Sequence, residues 1–387
     1  MHVDPRSPQA AALATRKRGL ASAIAEGGEA ATMADLLELP KDPQLAVSEA
    51  DPAGWSGDLL VIGLYEEAFD AEKKAFTDGY ALEGFSSDVV DTLIDLLSDD
   101  DFKLKPGSSK TVRLAGAGGP KYVAVAGLGK AAGAGGNGKG NGAPSWGKSA
   151  MQVFGSTIKS ISKQNKCAKI ALFIPGSGSP ALDEIAGGIL TGGYEATRFK
   201  SKDPTSGFAV ASVDFLAKGV DATASAAAFA SALAMAKGIT VARYLVEAPP
   251  NVASPKHLAA CAEMIEKTFA EFGLTVYGRK QCEEMGMGCY LGVGEASDAE
   301  PQFIHLKYTP PGGVVKSKIA FVGKGVTFDS GGYNIKAGAG SMIEMMKFDM
   351  GGSAAVLGSA YAVGGLKPEN VEVVSDIQRT EAWQRMN

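Results

Sequence analysis

Two short segments of the chain, Val322–Lys336 and Phe348–Gly352, hold the residues best suited to chemistry. They carry two lysines, Lys324 and Lys336, and two aspartates, Asp329 and Asp349, with glycines around all four. A carboxylate such as Asp329 can bridge two divalent cations, and Asp349 can bind one. A lysine coordinates a metal only when neutral, a state favoured by burial beside a dication. A second lysine that stays charged can polarise a carbonyl or stabilise an oxyanion. The residue types suit a carboxylate-and-lysine site for a hard or borderline divalent metal. Two buried Lys–Asp ion pairs without metal are the competing reading, and the flanking pairs Gly331-Gly332 and Gly351-Gly352 favour a site, because glycine lets backbone approach a ligand closely.

These residues need a scaffold. The apolar run Ile319–Val322 reads as a buried strand that delivers Lys324 into a turn, and ligands of open α/β sheets bind at the carboxyl ends of strands. Further strand candidates are Asp58–Tyr65, Lys121–Leu128, Ala168–Ile174, Leu274–Tyr277, Gln302–Tyr308 and Val371–Val374. Helical spacing marks Ser87–Leu97, Met151–Ile161 and Leu182–Leu190. Strands that alternate with helices predict an α/β fold with a mixed, largely parallel sheet. An Ala-rich helix over residues 221–247, capped by Asp221 or Thr223 and ended by Pro249-Pro250, makes a natural boundary. Ser254-Pro255 opens the next helix. The expected organisation is a disordered or transit-like segment over 1–53, an N-terminal α/β domain over 54–220, a linking helix over 221–250 and a C-terminal domain over 251–387.

Composition narrows the function. A net charge of −5 gives no bulk attraction to nucleic acid. No uninterrupted apolar run reaches membrane-spanning length, so neither nucleic acid nor membrane is an expected partner. Four cysteines without a CxxC spacing read as reduced thiols. With only three histidines, any metal must lean on carboxylates. His257 reads as a solvated surface residue and His305 as a satisfied core histidine. The loop Gly127–Gly142 contains Gly138-Lys139 but places Gly140 where a phosphate-binding loop needs a hydroxyl, so it reads as a surface insertion. Gly286–Gly294 lacks the strand and the glycine spacing of a dinucleotide fingerprint and reads as a tight backbone crossing near the site.

The motifs Val322–Gly332 and Phe348–Gly352 closely resemble the leucyl aminopeptidase (cytosol aminopeptidase) family of metallopeptidases. Ala242–Val252, Gly286–Val293 and Pro301–His305 are also similar to its members. The resemblance extends from about residue 55 to about 373 and is strongest after 240. It implies an N-terminal α/β domain followed by an α/β metallopeptidase catalytic domain. It implies two divalent metal ions per subunit, Mn²⁺ or Zn²⁺, a homohexamer, and release of N-terminal amino acids, with a leucine-type preference, from peptide substrates. Lys324 would then be a metal ligand at an exchangeable site, and Asp329 would bridge both metals. Lys336 would be the catalytic electrophile, and Asp349 would bind one metal and face the substrate's amino terminus.

The family's second motif, Asn-Thr-Asp-Ala-Glu-Gly-Arg, supplies further metal ligands and is absent from these 387 residues. On that reading the catalytic domain is incomplete and the chain a truncated product, with residues after Val373 unlike the family; Asp376 and Glu381 are poor substitute ligands. Three functions compete: a dinuclear metalloaminopeptidase of cytoplasm or plastid stroma, an inactive relative that binds metal weakly or assembles with full-length subunits, and, more remotely, a nucleotide-binding protein.

Overall fold

The computed structural model describes residues 39–382 except 81, 100, 115–118, 132–147, 176–180, 200–208 and 296. These residues form two compact units, one comprising Lys41–Glu195 and Thr205–Ala236, the other holding Ala196–Pro204 and everything from Lys237 onward.

The first unit contains β1 (Gln44–Ser48), β2 (Leu59–Tyr65), a two-stranded hairpin of β3 (Phe69–Asp70) and β4 (Ala75–Phe76), α1 (Ser87–Leu97), β5 (Ser109–Arg113), β6 (Tyr122–Gly129), α2 (Ala150–Asn165), β7 (Lys169–Phe173), α3 (Leu182–Thr191) and β8 (Ser212–Leu216). Its sheet has the order β1-β8-β7-β2-β6-β5, with every pairing parallel except that of the edge strand β5. Strand β2 is a continuous apolar run because it sits inside the sheet, covered on both faces. One face packs on Phe154, Ile158, Ile185 and Ile189 of α2 and α3, the other on Leu93 and Leu97 of α1. A reciprocal capping box fixes the start of α2: Ser149 Oγ accepts from the Gln152 amide, and Gln152 Oε1 accepts from the Ser149 amide.

One sequence expectation is corrected here. Gln44–Ser48 falls in the stretch read as disordered or transit-like, yet it forms edge strand β1 beside β8. Its half-exposed residues give a weak apolar signal, and only the parallel pairing with β8 makes it a strand. Strands β5 and β8 were likewise not legible, since Lys110 and Thr111 in one and Asp214 in the other interrupt their apolar residues.

The long helix α4 (Ala222–Glu247) begins where Asp221 Oδ1 accepts from the Ala224 amide. By length and composition it is apolar enough to cross a membrane, contrary to the reading of the sequence. Its apolar surface is instead divided between cores: Phe229 and Ala232 lie in that of the first unit, Val241 and Leu245 in that of the second.

The second unit adds α5 (Pro255–Thr268), β9 (Phe272–Tyr277), α6 (Arg279–Glu284), α7 (Gly288–Gly294), β10 (Gln302–Tyr308), β11 (Ser317–Asp329), a 3₁₀ turn (Ile343–Phe348), α8 (Gly351–Leu366) and β12 (Val371–Ala382). Its sheet has the order β11-β12-β10-β9, with β11–β12 parallel and the other pairings antiparallel. Leu258, Ile265, Ala354 and Leu357 from α5 and α8 pack against Ile304, Leu306, Tyr308, Val373 and Ile377. Strand β12 runs eight residues beyond the expected end at Val374, because β10 and β11 pair with it from both sides.

Ile319–Val322, read as a buried strand, is exposed: Ile319 is 45%, Phe321 38% and Val322 67% accessible. Among the described residues β11 is an edge strand, so one side of its backbone and much of its apolar surface meet no neighbour. Charge fastens this edge. The Glu372 side chain, 9% exposed, pairs with Lys307 of β10 at 2.9 Å and Lys318 of β11 at 3.1 Å. The hydrogen bonds from Lys307 and Lys318 hold the Glu372 carboxyl below the usual glutamate range. A depressed carboxyl contributes stability above its unfolded pKa and loses it as pH falls through the folded one. Glu372→Gln is therefore expected to speed hydrogen exchange of the β11 amides at neutral pH, and the wild type should approach the variant's rates below the usual glutamate range. Equal β11 exchange in both proteins at neutral pH would disprove the fastening.

Candidate metal centre and active site

The sheet and α8 meet at a seam of bare backbone. A Cβ on Gly323 would lie 2.9 Å from the Gly352 carbonyl oxygen, and one on Gly352 would lie 3.0 Å from the Lys324 nitrogen. At this seam the buried Ser353 donates its hydroxyl to the carbonyl oxygens of Lys324 at 2.8 Å and Gly323 at 3.3 Å. The contact brings the carboxyl half of β11 against the start of α8, and Asp349 stands just ahead of that helix.

Strand β11 ends at Asp329, past a shift of its register with β12 after Val326. The chain then turns through Gly331, whose φ of +92° suits glycine, and a Cβ there would meet the Asn334 carbonyl oxygen at 2.3 Å. The Lys336 amide donates to the Ser330 carbonyl at 2.9 Å and closes the loop. The loop folds Lys336 back: its Nζ donates to Asp329 Oδ2 at 2.7 Å, while the Gly331 amide donates to Asp329 Oδ1 at 2.9 Å. The Lys336 hydrogen bond holds the Asp329 carboxyl below the usual aspartate range, against the opposing effect of burial, and the Gly331 amide and the Lys324 charge add to it.

Asp349 follows the 3₁₀ turn and donates its amide to the Met346 carbonyl at 3.2 Å. Lys347 of that turn reaches the Glu247 carbonyl at 3.4 Å. Lys324 Nζ lies 3.0 Å from Asp349 Oδ2, with the lysine side chain 61% and the aspartate 20% exposed. This is an ion pair by distance but not a directed hydrogen bond, so Asp349 Oδ2 is buried without one.

The structure thus brings all four predicted residues to one end of β11 as two Lys–Asp pairs. The donors suit a divalent cation in kind: carboxylate oxygens, one of them buried and short of a directed hydrogen bond, beside an amine. Among the described residues no group of three histidine, cysteine or acidic side chains able to hold a metal occurs, so any such centre must also draw on the lysine.

Other readings fare unevenly. His305 is half-buried and its Nδ1 pairs with Asp376 Oδ1 at 2.7 Å, so Asp376 is engaged with that histidine. His257 is half-buried rather than solvated: its Nδ1 lies 2.7 Å from Ser254 Oγ, and burial, followed by the Lys256 charge, holds its pKa below the usual value. A Cβ at Gly286, Gly288 or Gly292 would meet nothing within 4 Å, so none of these three glycines makes a tight crossing. Most of the segment Gly286–Gly294 forms the short helix α7 instead. Cys167, Cys261 and Cys282 are buried, Cys289 is exposed, and none of the four is in a disulfide. Of the loop read as a surface insertion, residues 132–142 lie outside the described residues. Sequence reasoning missed Ser353, although its place one residue after Gly351-Gly352 marked it as part of the seam.

Comparison with known proteins decides the family. The model of the cytosol aminopeptidase family's catalytic domain matches residues 240–382, and that of the family's N-terminal domain matches residues 61–203. The chain belongs to the cytosol aminopeptidase family. The match to this family runs past Val373, correcting the expectation that the following residues are unlike it; they continue β12. Leucine aminopeptidase 1 of Arabidopsis thaliana is 36% identical over 340 residues, covering 86% of this chain and 62% of the relative. Leucine aminopeptidase 2, chloroplastic, of the same plant is 35% identical over 369 residues, covering 93% and 60%. A solved tomato leucine aminopeptidase mutant superposes with a TM-score of 0.74 at 30% identity, covering 90% of this chain and 64% of that one. The chain therefore spans about three-fifths of the length of the curated relatives it matches.

The Lys336–Asp329 contact is open to a direct check. In Lys336→Ala the Asp329 carboxyl is expected to titrate at higher pH than in the wild type, as read from its carboxyl-carbon NMR shift. The same midpoint in both proteins would rule the contact out.

Proposed function

We propose that this chain is a metalloaminopeptidase that removes N-terminal residues, with a leucine-type preference, from peptides by dinuclear-metal hydrolysis. The observation that carries the reading is the gathering of Lys324, Asp329, Lys336 and Asp349 at the end of β11, within the part of the chain that matches the family's catalytic domain. Lys324, Asp329 and Asp349 are the residues that would hold the cations, Mn²⁺ or Zn²⁺. When bound, such cations supply Lewis acidity and lower the pKa of a water.

The chain's own groups do the rest. Asp349 offers a carboxylate to the substrate's ammonium terminus. Lys336 has three N–H donors. It can keep its bond to Asp329 and aim another at the scissile carbonyl oxygen as negative charge develops there. Gly331 holds the Asp329 carboxylate in place meanwhile.

A second reading is an inactive relative that binds metal weakly or assembles with longer subunits. It is favoured by the two-carboxylate donor set among the described residues. Peptides as substrates and a homohexamer as the assembly belong to the proposal. So does a location in cytoplasm or plastid stroma, the latter supported by relatives named chloroplastic.

Hydrolysis of a leucyl anilide with added Mn²⁺ or Zn²⁺ separates the two. Activity is expected, and Lys336→Ala should lower kcat by about 10²–10³-fold with little change in KM, as loss of an oxyanion stabiliser does. An unchanged kcat would remove Lys336 from its role. No hydrolysis under either metal would favour the inactive relative.

A further inference from the structure

We propose that Ser353 is a positioning residue of the metal centre, setting the distance between Lys324 and Asp349 through the main chain of β11. The inference deepens the metalloaminopeptidase reading and rests on it. Ser353 is fully buried in the first turn of α8. Serine at a helix start commonly caps the helix's own amides. Here the hydroxyl points away from the helix and donates to β11, at 2.8 Å to the Lys324 carbonyl and 3.3 Å to that of Gly323.

On either side of this bond Gly323 and Gly352 touch through backbone alone. Glycines permit the approach but do not direct it, since neither has a side chain to choose one register of strand against helix. The Ser353 hydroxyl supplies that direction. It grips the carbonyl of the residue whose amine lies 3.0 Å from Asp349 Oδ2, from a helix that starts two residues after Asp349. A slide at this seam moves Lys324 and Asp349 apart without touching either side chain.

The test is calorimetric titration of the whole chain with Mn²⁺ alone, so it needs no turnover. Ser353→Ala is expected to weaken Mn²⁺ binding by about five-fold, the scale of one lost hydrogen bond. Ser162→Ala is the control: Ser162 is equally buried and donates to the Cys167 carbonyl at 2.7 Å, in the first unit. It should lower thermal stability and leave Mn²⁺ affinity unchanged. If Ser353→Ala does not fold, Ser353→Cys, which keeps the volume with a weaker donor, reads the same quantity. Wild-type affinity in the folded Ser353 variant, or equal weakening in Ser162→Ala, overturns the proposal alone. Failure of the wild type to bind Mn²⁺ overturns the metal reading, and this proposal with it.

Discussion

Backbone-to-backbone contact between Gly323 and Gly352 is the constraint on which the second unit's chemistry depends. Strand β11 and helix α8 are covalently separated by a long loop and a 3₁₀ turn, and they can only place their polar residues together by approaching closer than side chains allow. A methyl group at either glycine would sit about 3 Å from main-chain atoms, a distance real side chains avoid. Such a group would push the strand from the helix and separate Lys324 from Asp349. The glycine-rich character of the segment is thus partly a requirement of assembly and only partly one of ligand access.

Charge is distributed over this scaffold in two different ways. At the edge of the sheet, Glu372 is shared by two lysines from different strands, so the ionic contact ties elements together. At the end of β11 each aspartate has its own lysine. The pair on Asp329 is closed by a hydrogen bond, whereas that on Asp349 is not. Half-exposed ion pairs of this kind contribute only about 0–1 kcal/mol to stability. Their value here lies in placing two carboxylates beside cationic side chains at little energetic expense, which suits groups that must also accept other partners.

The exposed face near the site follows from where the strand lies. Val322, Tyr333 and Ile335 are accessible, although each is apolar or aromatic. Burial is decided by what packs against a residue, and a run of apolar residues carries no information about whether a neighbouring strand is present. This is why Ile319–Val322 was legible as a strand but not as an edge.

The sequence by itself determined the elements with strong local signals: the apolar strand β2, the helical period of α2, the capped helix α4, and the four charged residues among their glycines. Capping chemistry, hydrophobic period and motif spacing are local properties, so they survive without coordinates. Tertiary structure alone decided which residues those elements bring together. The pairing of Lys336 with Asp329 needed the fold-back at Gly331, and that of Lys324 with Asp349 needed the seam with α8. Strand β1, the extension of β12 and the His305–Asp376 contact likewise arise from partners distant in the chain. Pairing across a sheet depends on the register of two segments at once, and neither segment carries that register alone.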